Sequence, residues 1–355
     1  MTLTRFTRHA IGLALAASLA LLPGACARSG TKPAAVPTAS PAPAAATPAT
    51  ARPAVTSTRG IVASAHPLAS EAGIAMLRAG GNAVDAAVAA AFAVGVAEPN
   101  ASGLGGEGMM VIRLATGQTV AIDYRSTAPA TARFPGRVPD TGYAAVAVPG
   151  TVAGLTLALQ KYGTRPLADA LAPAIRIADE GFLASATLAG VVTENFASLV
   201  EDPGLSAIFC PDGLPLEAGA RVRNPELAAT LRAIAEGGPD VFYRGAVARQ
   251  IAAAAAAGGG FLSADDLAGY RAIEREPVRG RYRGHDIVSA PPPVAGLAVI
   301  EALQVLDHFD IASFGPLSPQ RVHLTSEALK LAFADYSAYV ADPGFVTVPV
   351  AGLLS

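Results

Sequence analysis

The chain has 355 residues, 52% of them hydrophobic and 15% charged, with a formal net charge of −2. That length supports one large core or two modest domains. The charges are scattered and nearly balanced, Trp is absent and aromatics make up 6%. Neither a basic stripe nor a stacking platform is present, so a nucleic-acid partner is not expected.

Residues 1–26 read as an export signal. Arg5 and Arg8 precede an apolar run from Ala10 to Leu22, shorter than the roughly 20 residues a spanning helix needs. Ala25-Cys26-Ala27 fits a small-x-small cleavage site. Cys26 also fits the lipid-bearing cysteine of an exported lipoprotein, although Pro23-Gly24-Ala25 is a poor version of the preceding triplet. Both readings place the mature chain outside the cytoplasm, in the periplasm or beyond. The other cysteine is Cys210, so no structural disulfide is expected. The histidines are dispersed and no Cys/His cluster has metal-ligand spacing, so no metal is expected. Residues 27–58 are Ala, Pro, Thr and Ser with almost no bulky apolar side chains. They read as a disordered linker. A globular region begins at Arg59 and runs to Ser355.

Within that region, Pro67 opens a helix to Ala79 with Leu68, Ala72, Ala75, Met76 and Ala79 as its stripe. Gly80-Gly81 ends it. Asn82 caps a second helix over 83–97, with Asp85 in its first turn. That helix is apolar nearly all round and so is buried, here expected against a partner sheet outside the chain. Strands follow at Met109 to Leu114 and Thr119 to Tyr124, joined by hairpin punctuation at 115–118. Helices are predicted over 151–163, 166–181, 224–238 from an Asn224 cap, 263–271 from Ser263, and 318–340 from Ser318. A strand starts at His285 and leads into Pro291-Pro292-Pro293. On the 318–340 helix, Val322, Leu329, Phe333, Tyr336 and Val340 share one face, while Glu327, Lys330 and Asp335 read as solvated.

"NASGLGGEGMM", residues 100–110, holds Gly103, Gly105, Gly106 and Gly108, with the spacing of a dinucleotide loop. A phosphate cradle follows a strand and opens a helix, whereas here a helix precedes the glycines and a strand follows them. The glycines therefore read as permitting positive φ and close backbone packing where the buried helix turns into a central strand.

Several segments together resemble the γ-glutamyltranspeptidase family: residues 62–106, "IDYRSTAPA" (122–130), "VAVPGTVAGL" (146–155), "APAIRIADEGF" (172–182), "DVFYRGAVARQI" (240–251) and "EALKLAFADYSAYVADPGF" (327–345). The resemblance implies an Ntn-hydrolase fold, a four-layer αββα sandwich (α+β) made as one self-cleaving precursor. It implies hydrolysis or transfer of γ-glutamyl groups from glutathione and γ-glutamyl amides to water, an amino acid or a peptide. The nucleophile is then the N-terminal threonine of a small subunit, its α-amine acts as base, and no metal or organic cofactor is needed. The site residue that carries over is Arg125, which binds the α-carboxylate of the glutamyl group. A guanidinium fork suits that task because it pairs bidentately and keeps its charge.

The sequence ends at "VTVPVAGLLS" without the family's self-cleavage threonine; neither Thr325 nor Thr347 sits in that motif. The 59–355 region is therefore expected to be an incomplete large-subunit region that needs a small catalytic subunit. Local departures are Glu107 inside the glycine run, Ser126 after the arginine, Val294, Ala295 and Leu297 after the triple proline, and Tyr336 after "FAD". They leave two alternatives open: a cephalosporin-type acylase with another acyl specificity, or an inactive family fragment.

Overall fold

The computed structural model describes residues 54–134 and 136–355. The export signal (1–26) and all of the 27–58 linker before residue 54 lie outside the described residues. Helix α1 (Pro67–Arg78) starts where the His66 ring nitrogen accepts from the Leu68 amide. Its buried stripe is Ala69, Ala72, Gly73 and Met76, turned away from the predicted one, since Ala75 and Ala79 are exposed. The reason is close contact with helix α2 (Ala83–Ala97): a Cβ on Gly73 would stand 3.0 Å from the Ala86 carbonyl oxygen. Small residues make the seam.

Asn82 caps α2 by accepting from the amides of Val84 and Asp85, and Asp85 accepts in return from the Asn82 amide at 2.6 Å. This reciprocal box satisfies amides that a helix start would otherwise leave orphaned. The all-round apolar helix is covered from within the chain, by α1, α3 (Thr151–Tyr162) and α4 (Leu167–Glu180). The expectation of an outside sheet over α2 is thus corrected.

Strands β1 (Gly108–Arg113) and β2 (Thr119–Tyr124) form the predicted antiparallel hairpin, with Gly108 opposite Tyr124 and Arg113 opposite Thr119. A third strand, Ile273–Arg275, pairs on the far side of β2. So β2 is the central strand, and β1, which had been expected there, is at the edge. None of the four glycines at 103, 105, 106 and 108 has positive φ; close packing explains Gly106 and Gly108, while a Cβ on Gly105 would meet open space. A Cβ on Gly108 would lie 2.7 Å from the Tyr124 ring, one on Gly106 3.1 Å from the Gly103 carbonyl oxygen.

The caps at Asn224, Ser263 and Ser318 are all present. The helix Pro319–Tyr339 departs from its predicted face. It buries Ala328 and Ala332, and Ala332 meets Ala298 and Ala302 of the helix Gly296–Asp307. Two helices in contact through alanines approach closely, which turns Val322, Leu329 and Phe333 outward, Phe333 at 51% exposure. Asp335 is half-buried rather than solvated and faces Glu301, whereas Glu327 and Lys330 form the exposed pair expected of them.

Candidate functional site around Arg125

Arg125 is the first residue past β2, and two hydrogen bonds fix its backbone. Its amide donates to Asp123 at 3.0 Å, and its carbonyl accepts from the Tyr270 hydroxyl at 2.8 Å. Asp123 is buried and anchored by Arg275 of the third strand at 2.7 Å. Burial raises the Tyr270 hydroxyl well above the usual phenol range. Stacked Tyr243, Asp123, Glu107 and Tyr124 push it further the same way. Tyr270 therefore stays protonated and keeps donating.

The start of α3 forms the floor. Gly150 and Gly154 lie so close to Tyr124 that a Cβ on either would overlap it, at 2.0 Å from the Tyr124 carbonyl oxygen and 2.1 Å from its ring. The Gly106 carbonyl accepts from the amides of Gly150 and Thr151 at 2.9 and 3.1 Å. The segments "GLGGEG", "IDYR" and "VPGTVAGL" are therefore three sides of one structure. Tyr243 ties in the fourth by donating to the Pro149 carbonyl at 2.9 Å.

The guanidinium of Arg125 forms an ion pair with Glu107, Nη1 to Oε1 at 2.8 Å, with the side chains 46% and 31% exposed. The other oxygen of Glu107 accepts from the Ser126 amide at 2.6 Å and from the Ser126 hydroxyl. Two of the departures noted in the sequence, Glu107 and Ser126, thus meet at Arg125. In the sequence alone, Glu107 reads as an interruption of the glycines. The signal was present in the hairpin: one step past the Gly108–Tyr124 pair sets Glu107 opposite Arg125, where opposite charges attract across strands.

The remaining departures gather elsewhere. Val294 and Ala295 lead into the 296–307 helix, whose Leu297 is fully buried. Tyr336 donates to the Pro293 carbonyl at 3.0 Å, so the triple proline and the "FAD" segment touch. Nearby, Glu301 is 8% exposed and one of its oxygens has no hydrogen-bond partner. Burial pushes its carboxyl up to about 7, helped by Asp335, which repels its charge and hydrogen-bonds it. No hydrogen bond or ion pair joins this group to Arg125 among the described residues.

Solved structures with this fold define its class as Ntn hydrolase. Gamma-glutamyltranspeptidase of Helicobacter pylori superposes with a TM-score of 0.82 at 37% identity, covering 85% of this chain and 90% of that one. Cephalosporin acylase from Bacillus halodurans gives 0.77 at 33% identity, covering 87% and 61%. The chain belongs to the γ-glutamyltranspeptidase family, whose model matches residues 69–355. It is 46% identical to the acylase ACY 1 proenzyme of Pseudomonas sp. strain SE83, over 84% of this chain and 57% of that protein. It is also 40% identical to the glutathione hydrolase proenzyme of Escherichia coli strain K12, over 93% and 58%. The chain thus spans little more than half the length of these relatives.

Proposed function

We propose that this chain forms the part of an exported γ-glutamyl hydrolase and transferase that holds the acyl donor, with Arg125 gripping the donor's α-carboxylate. The observation that carries the reading is the position of Arg125. It lies at the end of the central strand, backed by Tyr270, the glycine segment and the α3 N-terminus, within segments that resemble the family. A small subunit from the same precursor supplies the threonine. Its hydroxyl attacks the amide carbonyl and gives its proton to the threonine α-amine. The amine product leaves protonated. Water or an acceptor amine then takes the acyl group from the ester. The proenzyme names of the relatives support a two-part precursor.

A second reading, an acylase for another acyl group, is favoured by one specific observation: Glu107 already pairs with one nitrogen, Nη1, of the Arg125 guanidinium. The experiment is Arg125→Ala and Arg125→Lys in the complete, self-processed precursor, assayed on a γ-glutamyl anilide. Truncating one member of a charge pair costs about 2–5 kcal/mol when buried. Arg125 is 46% exposed, so the low end applies, about 2 kcal/mol or roughly 30-fold in kcat/KM. Lysine should restore part of this, because it keeps the charge and loses the fork. Unchanged kcat/KM in Arg125→Ala would reject the assignment.

A further inference from the structure

We propose that Glu107 is a specificity-determining residue: by pairing with the Arg125 guanidinium, its carboxylate weakens the site's hold on acyl donors whose far end carries a carboxylate and leaves donors without one unaffected. This rests on the reading of Arg125 as the donor grip. The ion pair to Glu107 is the one polar contact of that guanidinium among the described residues. Glu107 therefore takes up Nη1, one arm of the fork that an incoming carboxylate would grip on both, and sets its charge beside the other.

Glu107 cannot swing aside without consequence. Its backbone is held on both sides, by the Gly106 carbonyl that accepts from Gly150 and Thr151 and by Gly108 packed on the Tyr124 ring. Its second oxygen satisfies the amide and the hydroxyl of Ser126. Displacing it exchanges those two hydrogen bonds, one of them from a hydroxyl, for bonds to water and gives up the ion pair. Leaving it in place sets two carboxylates against one guanidinium, and like charges at such range repel. A donor with a neutral or ammonium end meets neither difficulty, because the pair is internally neutral and its open side faces solvent. The plain alternative is a bridge that only fixes the 125–126 turn. That alternative predicts equal effects on every donor.

The test uses the complete precursor carrying this chain, self-processed, as wild type, Glu107→Gln, Glu107→Gly and Arg125→Ala. Glutamine keeps an acceptor for Ser126 and drops the charge, so it separates charge from folding. The 4-nitroanilides of γ-glutamate and glutarate carry the carboxylate; those of 4-aminobutanoate and butanoate lack it. Glu107→Gln and Glu107→Gly are expected to raise kcat/KM tenfold or more for the first two, chiefly through KM, with no gain for the last two. Equal factors on all four anilides, or no change, would overturn the proposal. A loss in Arg125→Ala on the carboxylate donors, with unchanged ratios in Glu107→Gln, removes the role of Glu107 alone. No loss in Arg125→Ala removes the grip reading itself, and the proposal with it. If wild type and variants cleave none of the four, calorimetry of L-glutamate and glutarate with this chain decides. Tenfold tighter binding to Glu107→Gln supports the proposal, and equal binding overturns it.

Discussion

Asp85 offers a sharp test of what holds the N-terminal half together. Its side chain is fully buried and accepts four hydrogen bonds. One oxygen takes the amides of Thr164 and Arg165 at 2.8 and 3.0 Å. The other takes the Asn82 amide at 2.6 Å and the Thr164 hydroxyl at 2.7 Å. It thereby ties the α1–α2 turn to the α3–α4 turn, across 79 residues of chain. In Asp85→Asn, the remaining oxygen is best placed on Thr164 and Arg165. The new NH2 group then confronts the Asn82 amide, donor against donor, while the Thr164 hydroxyl can rotate to accept. One charge-assisted bond is lost, at roughly 1.5–3 kcal/mol, and one buried amide is left unsatisfied, at roughly 1–3 kcal/mol. The expected cost is about 3 kcal/mol, since these terms overlap.

Burial pushes the Asp85 carboxyl upward, but hydrogen bonds from the Thr164 side chain and the amides of Asn82, Thr164 and Arg165 outweigh it and hold the group below its usual value. A lowered folded value means that the unfolded chain binds the proton more readily. The stabilisation is then complete above the unfolded value of about 3.9 and is lost as pH falls through the folded one. Urea unfolding followed by circular dichroism should show the full gap between wild type and Asp85→Asn at pH 6.5 and a smaller gap below pH 4. A gap under about 0.5 kcal/mol at pH 6.5, or one that does not shrink in acid, would refute this account.

Glu301 should give the opposite trend. Its folded value of about 7 lies above the unfolded 4.5, so its contribution is present below 4.5 and is lost as pH rises through 7. The loss amounts to about 3 kcal/mol at most. Glu301→Gln should flatten the decline between pH 5 and 8 and be the more stable protein at pH 8; parallel curves would count against it. Export, for its part, predicts that protein made in its native cell begins within a residue of Cys26, and mass spectrometry finding an intact Met1 in the cytoplasm would count against it.

The features legible in the sequence are those decided by neighbours in the chain. Asn82, Asn224, Ser263 and Ser318 each cap a helix because the bond runs only two or three residues ahead. The Gly117 turn and the two strands it joins follow from the same local chemistry. Which face a helix buries is another matter. The 319–339 helix turns Val322, Leu329 and Phe333 outward because its buried contacts with the 296–307 helix centre on alanines, with Tyr336 and Leu324 packing only in part beside them. A hydrophobic stripe records apolar surface, not the shape of what covers it. The short helices Ala186–Glu194 and Pro203–Phe209 went unseen for a similar reason, lacking a long periodic pattern.

The site lies between these two cases. Arg125 stood out as a type of residue suited to carboxylates, but nothing local says which carboxylate it meets. Asp123 is two residues away and binds its backbone, whereas Glu107 is eighteen away and binds its side chain. The hairpin register resolves the question, because a ladder that pairs Gly108 with Tyr124 must bring residue 107 to residue 125. Glu107 is therefore not a local interruption of the glycine run. It delivers a negative charge, by strand geometry, to the one arginine at the end of the central strand. Changes that look independent in the sequence, at 107 and 126, are one change in the structure, made around a single guanidinium.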